Sequence, residues 1–201
     1  MFFVEKTIKH LIGEFNQVPV DRKKLLNELA SFIIDKGAAQ LVFICTHNSR
    51  RSHIAQIWAQ TAAAYFNVSN VTIYSGGTEA TAFNPRAVDA LQKIGFQIEN
   101  TSTGDNPHYL VTFSDEHSSF EVFSKKYNDA PNPANDFAAI MTCTHADENC
   151  PIVTGASARI SLPYDDPKDF DGTGFEAAKY LERSLEIGRE ILYAFSLIKK
   201  Q

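Results

Sequence analysis

A chain of 201 residues suits one domain with room for an appendage, and is long enough to bury a real core. Its 44% hydrophobic and 21% charged content is that of an ordinary soluble globular protein, and its net charge of −5 argues against a general nucleic-acid binder or a membrane-surface protein. No apolar run approaches the ~18 residues of a membrane span. The opening MFFVEKTIKH lacks the order of a signal peptide, and three cysteines are an odd count for a secreted disulfide framework. A cytoplasmic protein with working thiols is the expectation.

Residues 1–38 read as two helices forming an extension ahead of the main domain, 39–201. The second has Asp21 as N-cap, an apolar stripe of Leu25, Leu29, Phe32 and Ile33, and Gly37 as its stop. Leu41 to Ile44 is a short buried strand, followed by a polar turn over Thr46 to Arg51 and an apolar-spaced helix from Ile54. Val71 to Tyr74 is a second strand, closed by Ser75-Gly76-Gly77. Asn84-Pro85 opens a helix with Ala87, Val88, Leu91 and Ile94 on its apolar side and Gly95 at its end. Between 106 and 136 the pattern is less regular, with one candidate strand at Tyr109 to Phe113 and a loop at Asn128 to Asn135. Phe137 to Thr142 is a third buried strand, Arg159 to Leu162 a fourth, and Phe175 to about Ile198 a final helix. Such alternation predicts an α/β fold, a small parallel sheet with helices on both faces. Ligands gather at the carboxyl ends of strands in such sheets, where Cys45, Cys143 and Asp166 fall.

The chemistry concentrates in the spacing Cys45-x5-Arg51-Ser52. Backbone N–H groups of a tight loop and of a helix's first turn converge on a concavity that binds a tetrahedral oxyanion. Arg51 adds a bidentate fork, and a thiol at the floor of that positive field is favoured as its thiolate nucleophile. The plainer alternative is a buried cysteine beside a surface arginine; the strand–loop–helix context favours the site. Asn48 tolerates left-handed backbone and suits the turn, while Ser52 is either a cap or a donor to the Cys45 thiolate. Asp165 and Asp166, before Pro167, offer a general acid or merely a turn. Cys143 and Cys150 lack a second pair for zinc, although His145 and Cys45 offer further donors. They also suit thiol–disulfide exchange with an adduct on Cys45. His47, His53, His108 and His117 read as surface or supporting residues, Arg50, Lys125 and Lys126 as solvated charge, and Trp58 as core.

CTHNSRRSHIAQIW resembles the phosphate-binding loop of the low-molecular-weight protein tyrosine phosphatase superfamily, and within it the thioredoxin-coupled arsenate reductases. The likeness continues through TIYSGG, FNPRAVDAL, TCTHADENCP and YDDP, over about residues 41–195. It implies a flavodoxin-like sheet of four parallel strands. It implies an oxyanion, arsenate or phosphate, cradled by Thr46, His47, Asn48, Ser49, Arg50, Arg51 and Ser52. Cys45 would be the nucleophile and Asp166 the general acid. Cys143 would attack the Cys45–arsenic adduct, and Cys150 would form a second disulfide with Cys143 for thioredoxin to reduce. A phosphatase would use Cys45, Arg51 and Asp166 alone. No cofactor, metal, nucleic acid or membrane is implied. Gln56 stands where some relatives place a potassium-binding glutamate, so potassium is not expected, and His47 stands where relatives usually have glycine. The extension over 1–38 and the longer 106–136 segment depart from the family pattern.

Overall fold

Short runs of small and β-branched residues that are apolar on both sides favour strands covered from both faces. Two such runs form the centre of a four-stranded parallel sheet, with less buried strands at its edges, in a computed structural model describing residues 1–149 and 152–198. The sheet's strands are β1 (Ala39–Cys45), β2 (Val71–Gly77), β6 (Phe137–Met141) and β7 (Ala156–Ser161), in the order β2-β1-β6-β7. The expected four-stranded parallel sheet is therefore present. Leu41 and Phe43 point to one face, into the larger core; Val42 and Ile44 point to the other, with Phe137, Ala139, Met141 and Cys143.

Helices α1 (Glu5–Gly13), α2 (Val20–Lys36), α3 (Arg51–Phe66), α4 (Pro85–Ile94) and α6 (Glu176–Ser196) contribute to the larger core. The short α5 (Thr144–Asn149) lies over the second face, against β1 and β6. The beginning of α2 corrects the reading of its sequence. Pro19 is the N-cap and Asp21 lies in the first turn, so the chain turns inward two residues earlier. The buried stripe is Leu26, Leu29, Ala30 and Ile33, with Leu25 and Phe32 on its half-buried shoulder. Val4, Ile8, Leu11 and Val18 complete the same cluster, so the first 38 residues share one continuous core with the sheet.

The segment after α4 is more ordered than its sequence announces. A second sheet joins β3 (Gln97–Asn100), β4 (Tyr109–Thr112) and β5 (Phe120–Val122), all antiparallel. The chain's start is bound to it: Phe2 bridges Ser114, and the Phe3 N–H donates to the Phe113 carbonyl at 2.9 Å.

Candidate active site

Cys45 is the last residue of β1, paired with Gly77 at the end of β2. The chain must turn at once from strand to helix. Asn48, at φ 44°, takes the left-handed conformation that turn requires, as its sequence position suggested. The carbonyls of the loop face outward and are taken up: Cys45 O by Thr78 N, Thr46 O by Glu79 N, and Ser49 O by Asn84 N, at 2.8–3.1 Å. Among the described residues, none of the amides from Thr46 to Arg50 donates a hydrogen bond. A loop with committed carbonyls and uncommitted amides presents a ring of donors to an anion. Gly77 makes this packing reachable, because a Cβ there would sit 2.2 Å from Glu79 O and 2.6 Å from Asn48 N.

Below the loop lies a buried chain of side chains. Cys45 Sγ is 3.1 Å from Ser52 Oγ. The Asn48 amide donates to Ser52 Oγ at 2.8 Å and to Ser75 Oγ at 3.0 Å, and Ser75 Oγ donates to Gln56 Oε1 at 2.6 Å. Gln56 and Ser75 were not singled out for this support; Ser75 carried a signal only through the Ser-Gly-Gly that closes β2. The inserted segment completes the frame. Lys125 N donates to Asn48 Oδ1 at 2.9 Å, Ser124 Oγ donates to His47 O at 3.0 Å, and the Asn132 amide donates to Ser75 O at 3.0 Å.

Arg51, the first residue of α3, donates through Nη1 to Tyr164 O at 2.9 Å and through Nη2 to Asp166 Oδ2 at 2.6 Å. Among the described residues, its buried Nε–H has no hydrogen-bond partner. The two candidate acids are thereby separated: Asp166 meets Arg51, whereas the exposed Asp165 meets Arg183 on the outer side. Asp166 also caps the short 3-10 turn Pro167–Phe170, accepting from Lys168 N at 3.1 Å.

Cys143 follows β6 and is buried, with its Sγ 3.5 Å from the hydroxyl of Thr46, the residue next to Cys45. His145 Nδ1 stands 3.3 Å from the same hydroxyl. Cys150 lies outside the described residues, and among the described residues no three His, Cys, Asp or Glu side chains group closely enough for a metal.

Two expectations of the sequence need correction, those for Lys125 and Arg50, and of the two readings of His53 the supporting one holds. His53 is fully buried against Phe83, and its Nε2 donates to Phe123 O at 3.2 Å; burial, then the charge of Lys125, pushes its pKa down to about 3. Lys125 is buried rather than solvated, with its ammonium on Phe123 O and ring, and burial lowers its pKa to about 8. Arg50 is not free surface charge either: Nε donates to Tyr180 Oη at 2.8 Å, and Tyr180 in turn donates to Asp171. Lys126 is exposed, His47 faces Glu79 from the rim, and Trp58 is core.

No protein-family model matches the chain. Over 127 residues it is 29% identical to arsenate reductase 2 of Staphylococcus epidermidis, covering 63% of this chain and 77% of that protein. Over 152 residues it is 27% identical to the arsenate reductase of Halalkalibacterium halodurans, covering 75% and 91%. Its fold matches that of a protein tyrosine phosphatase from Entamoeba histolytica at a TM-score of 0.50 and 11% identity, over 79% of this chain and 95% of that one.

Proposed function

We propose that this relative of the arsenate reductases, built on the low-molecular-weight phosphatase fold, is an enzyme that reduces arsenate to arsenite with Cys45, Cys143 and Cys150. The observation that carries the reading is the second thiol beside the first loop: Cys143 Sγ is 3.5 Å from the hydroxyl of Thr46. A phosphatase has no use for it.

The oxyanion sits among the loop amides, with the unpartnered Nε–H of Arg51 as one further donor. The Cys45 thiolate attacks arsenic, and the departing oxygen leaves as water with a proton from Asp166. Ser52, 3.1 Å from Cys45 Sγ, steadies the thiolate. Cys143 then attacks Cys45 Sγ. An S–S bond forms, the S–As bond breaks, and its electron pair stays with arsenic, which leaves as arsenite. Two thiols have been oxidised and As(V) reduced to As(III). Cys150 attacks Cys143 Sγ and releases the Cys45 thiolate, leaving a Cys143–Cys150 disulfide. A dithiol protein of the thioredoxin class reduces that disulfide.

The test couples the full chain to thioredoxin, thioredoxin reductase and NADPH. Arsenate-dependent NADPH oxidation is expected, lost in Cys45→Ser, Cys143→Ser and Cys150→Ser. Turnover surviving in both of the last two overturns the relay. The Arg51–Asp166 pair also favours a second reading, hydrolysis of a phosphoester through a cysteinyl-phosphate. A kcat/KM for an aryl phosphate far above that for arsenate, indifferent to Cys143→Ser, selects it.

A further inference from the structure

Arg22, near the start of α2, reaches the back of the site from outside it. Its Nε is 3.0 and 3.2 Å from the two carboxylate oxygens of Glu190, and its Nη2 is 2.6 Å from Oε2. Nη1 donates to the carbonyl of Pro163 at 2.9 Å, and the guanidinium carbon lies 4.7 Å over the Tyr164 ring. Glu190 is 3% exposed and Tyr164 4%, so these contacts are formed away from water, where they are strong. A tether between α2 and α6 would need the Glu190 contact alone. The Pro163 and Tyr164 contacts instead grip the segment 163–166.

Arg51 holds that same segment from the other side, through Tyr164 O and Asp166 Oδ2. The acid-bearing segment is thus pinned between two guanidinium groups, one from the loop helix and one from the extension. We infer that Arg22 is a positioning residue that sets the place of Asp166, making the first 38 residues part of the catalytic apparatus. The inference rests on the reading of Asp166 as general acid. A misplacement of about 1 Å at such a group costs on the order of 100-fold in rate.

The experiment uses the full chain with Arg22→Met, Arg22→Lys, Asp166→Asn and the Arg22→Met/Asp166→Asn double variant, in the coupled arsenate assay. Arg22→Met is expected to lower kcat about 10- to 100-fold with KM within about 3-fold. Because it acts through Asp166, the double variant is expected to be no slower than Asp166→Asn alone. Arg22→Lys, which cannot fork between Glu190 and Pro163, is expected to fall between. Amide exchange over residues 160–170, followed by mass spectrometry, is expected to quicken in Arg22→Met. Unchanged kcat in a folded Arg22→Met, or losses that multiply in the double variant, overturn the inference. If Arg22→Met does not fold, Arg22→Lys with its own double variant supplies the same cycle. If the wild type does not turn over arsenate, or ignores Asp166→Asn, the functional reading fails. Exchange then decides alone: an increase confined to 160–170 upholds Arg22's hold on the segment, and none overturns it.

Discussion

Asn48 is the residue on which the loop turns, because it combines a left-handed backbone with three buried side-chain hydrogen bonds. Asn48→Ala adds backbone strain of about 1–2 kcal/mol to those losses, for a total near 3 kcal/mol. Asn48→Gly removes the bonds without the strain and is expected to recover about 1 kcal/mol, read from urea midpoints. His53 supplies a pH test. Its folded pKa is near 3 against 6.5, so below pH 6.5 the unfolded chain takes up the proton first. Stability from this group is complete above pH 6.5 and falls by at most about 1.4 kcal/mol per pH unit as pH drops toward 3. Unfolding free energies at pH 7 and 5 are expected to converge between wild type and His53→Gln; parallel losses would contradict the assignment. The turn at Asn48 was legible because backbone conformation is local, whereas its bonds to Ser75 and Lys125 were not. His53 and Lys125 were not legible either: His53 is covered by Phe123, 70 residues away, and Lys125 lies in the segment that packs on the loop at Asn48, 77 residues away.

Elements were legible where their own residues decide them. Phe137–Met141 is apolar throughout because both faces are covered, and Asn84-Pro85 with Gly95 marks both ends of α4 through a side-chain cap, a fixed φ and a left-handed stop. β3 and β5 were missed because four and three half-exposed residues carry no period; pairing with β4 makes them strands. The crossing of α3 and α6 likewise rests on one position that no periodicity reveals. A Cβ on Gly188 would lie 2.5 Å from Trp58 Cε2, with the Trp58 indole donating to Ser184 Oγ one turn away. Gly188→Ala is therefore expected to destabilise by about 1–3 kcal/mol despite the better helix propensity of alanine, seen as a lowered thermal midpoint.

At the scale of the molecule, the extension separates in sequence but not in space. Its apolar side chains belong to the same core as Leu41, Phe43 and Ile191, and Arg22 is the partner of the buried Glu190. A chain of residues 39–201 is expected to lose cooperative folding rather than merely trim an appendage, because it opens that core and leaves Glu190 without its partner. Circular dichroism melting and protease resistance report this; a truncated chain with a sharp, near-native melt would refute it. The sheet and the oxyanion loop were readable because strand order and spacing are properties of the chain itself. The bracing of the acid segment was not, since Arg22 and Pro163 are 141 residues apart. That separation also sets a timetable. α6 packs against α1, α2, α3 and α4, yet it is synthesised after all of them. Until residues 176–196 leave the ribosome, the faces those four helices turn toward α6 have no cover. Closure of the larger core is therefore a late event in synthesis, set by the last helix of the fold.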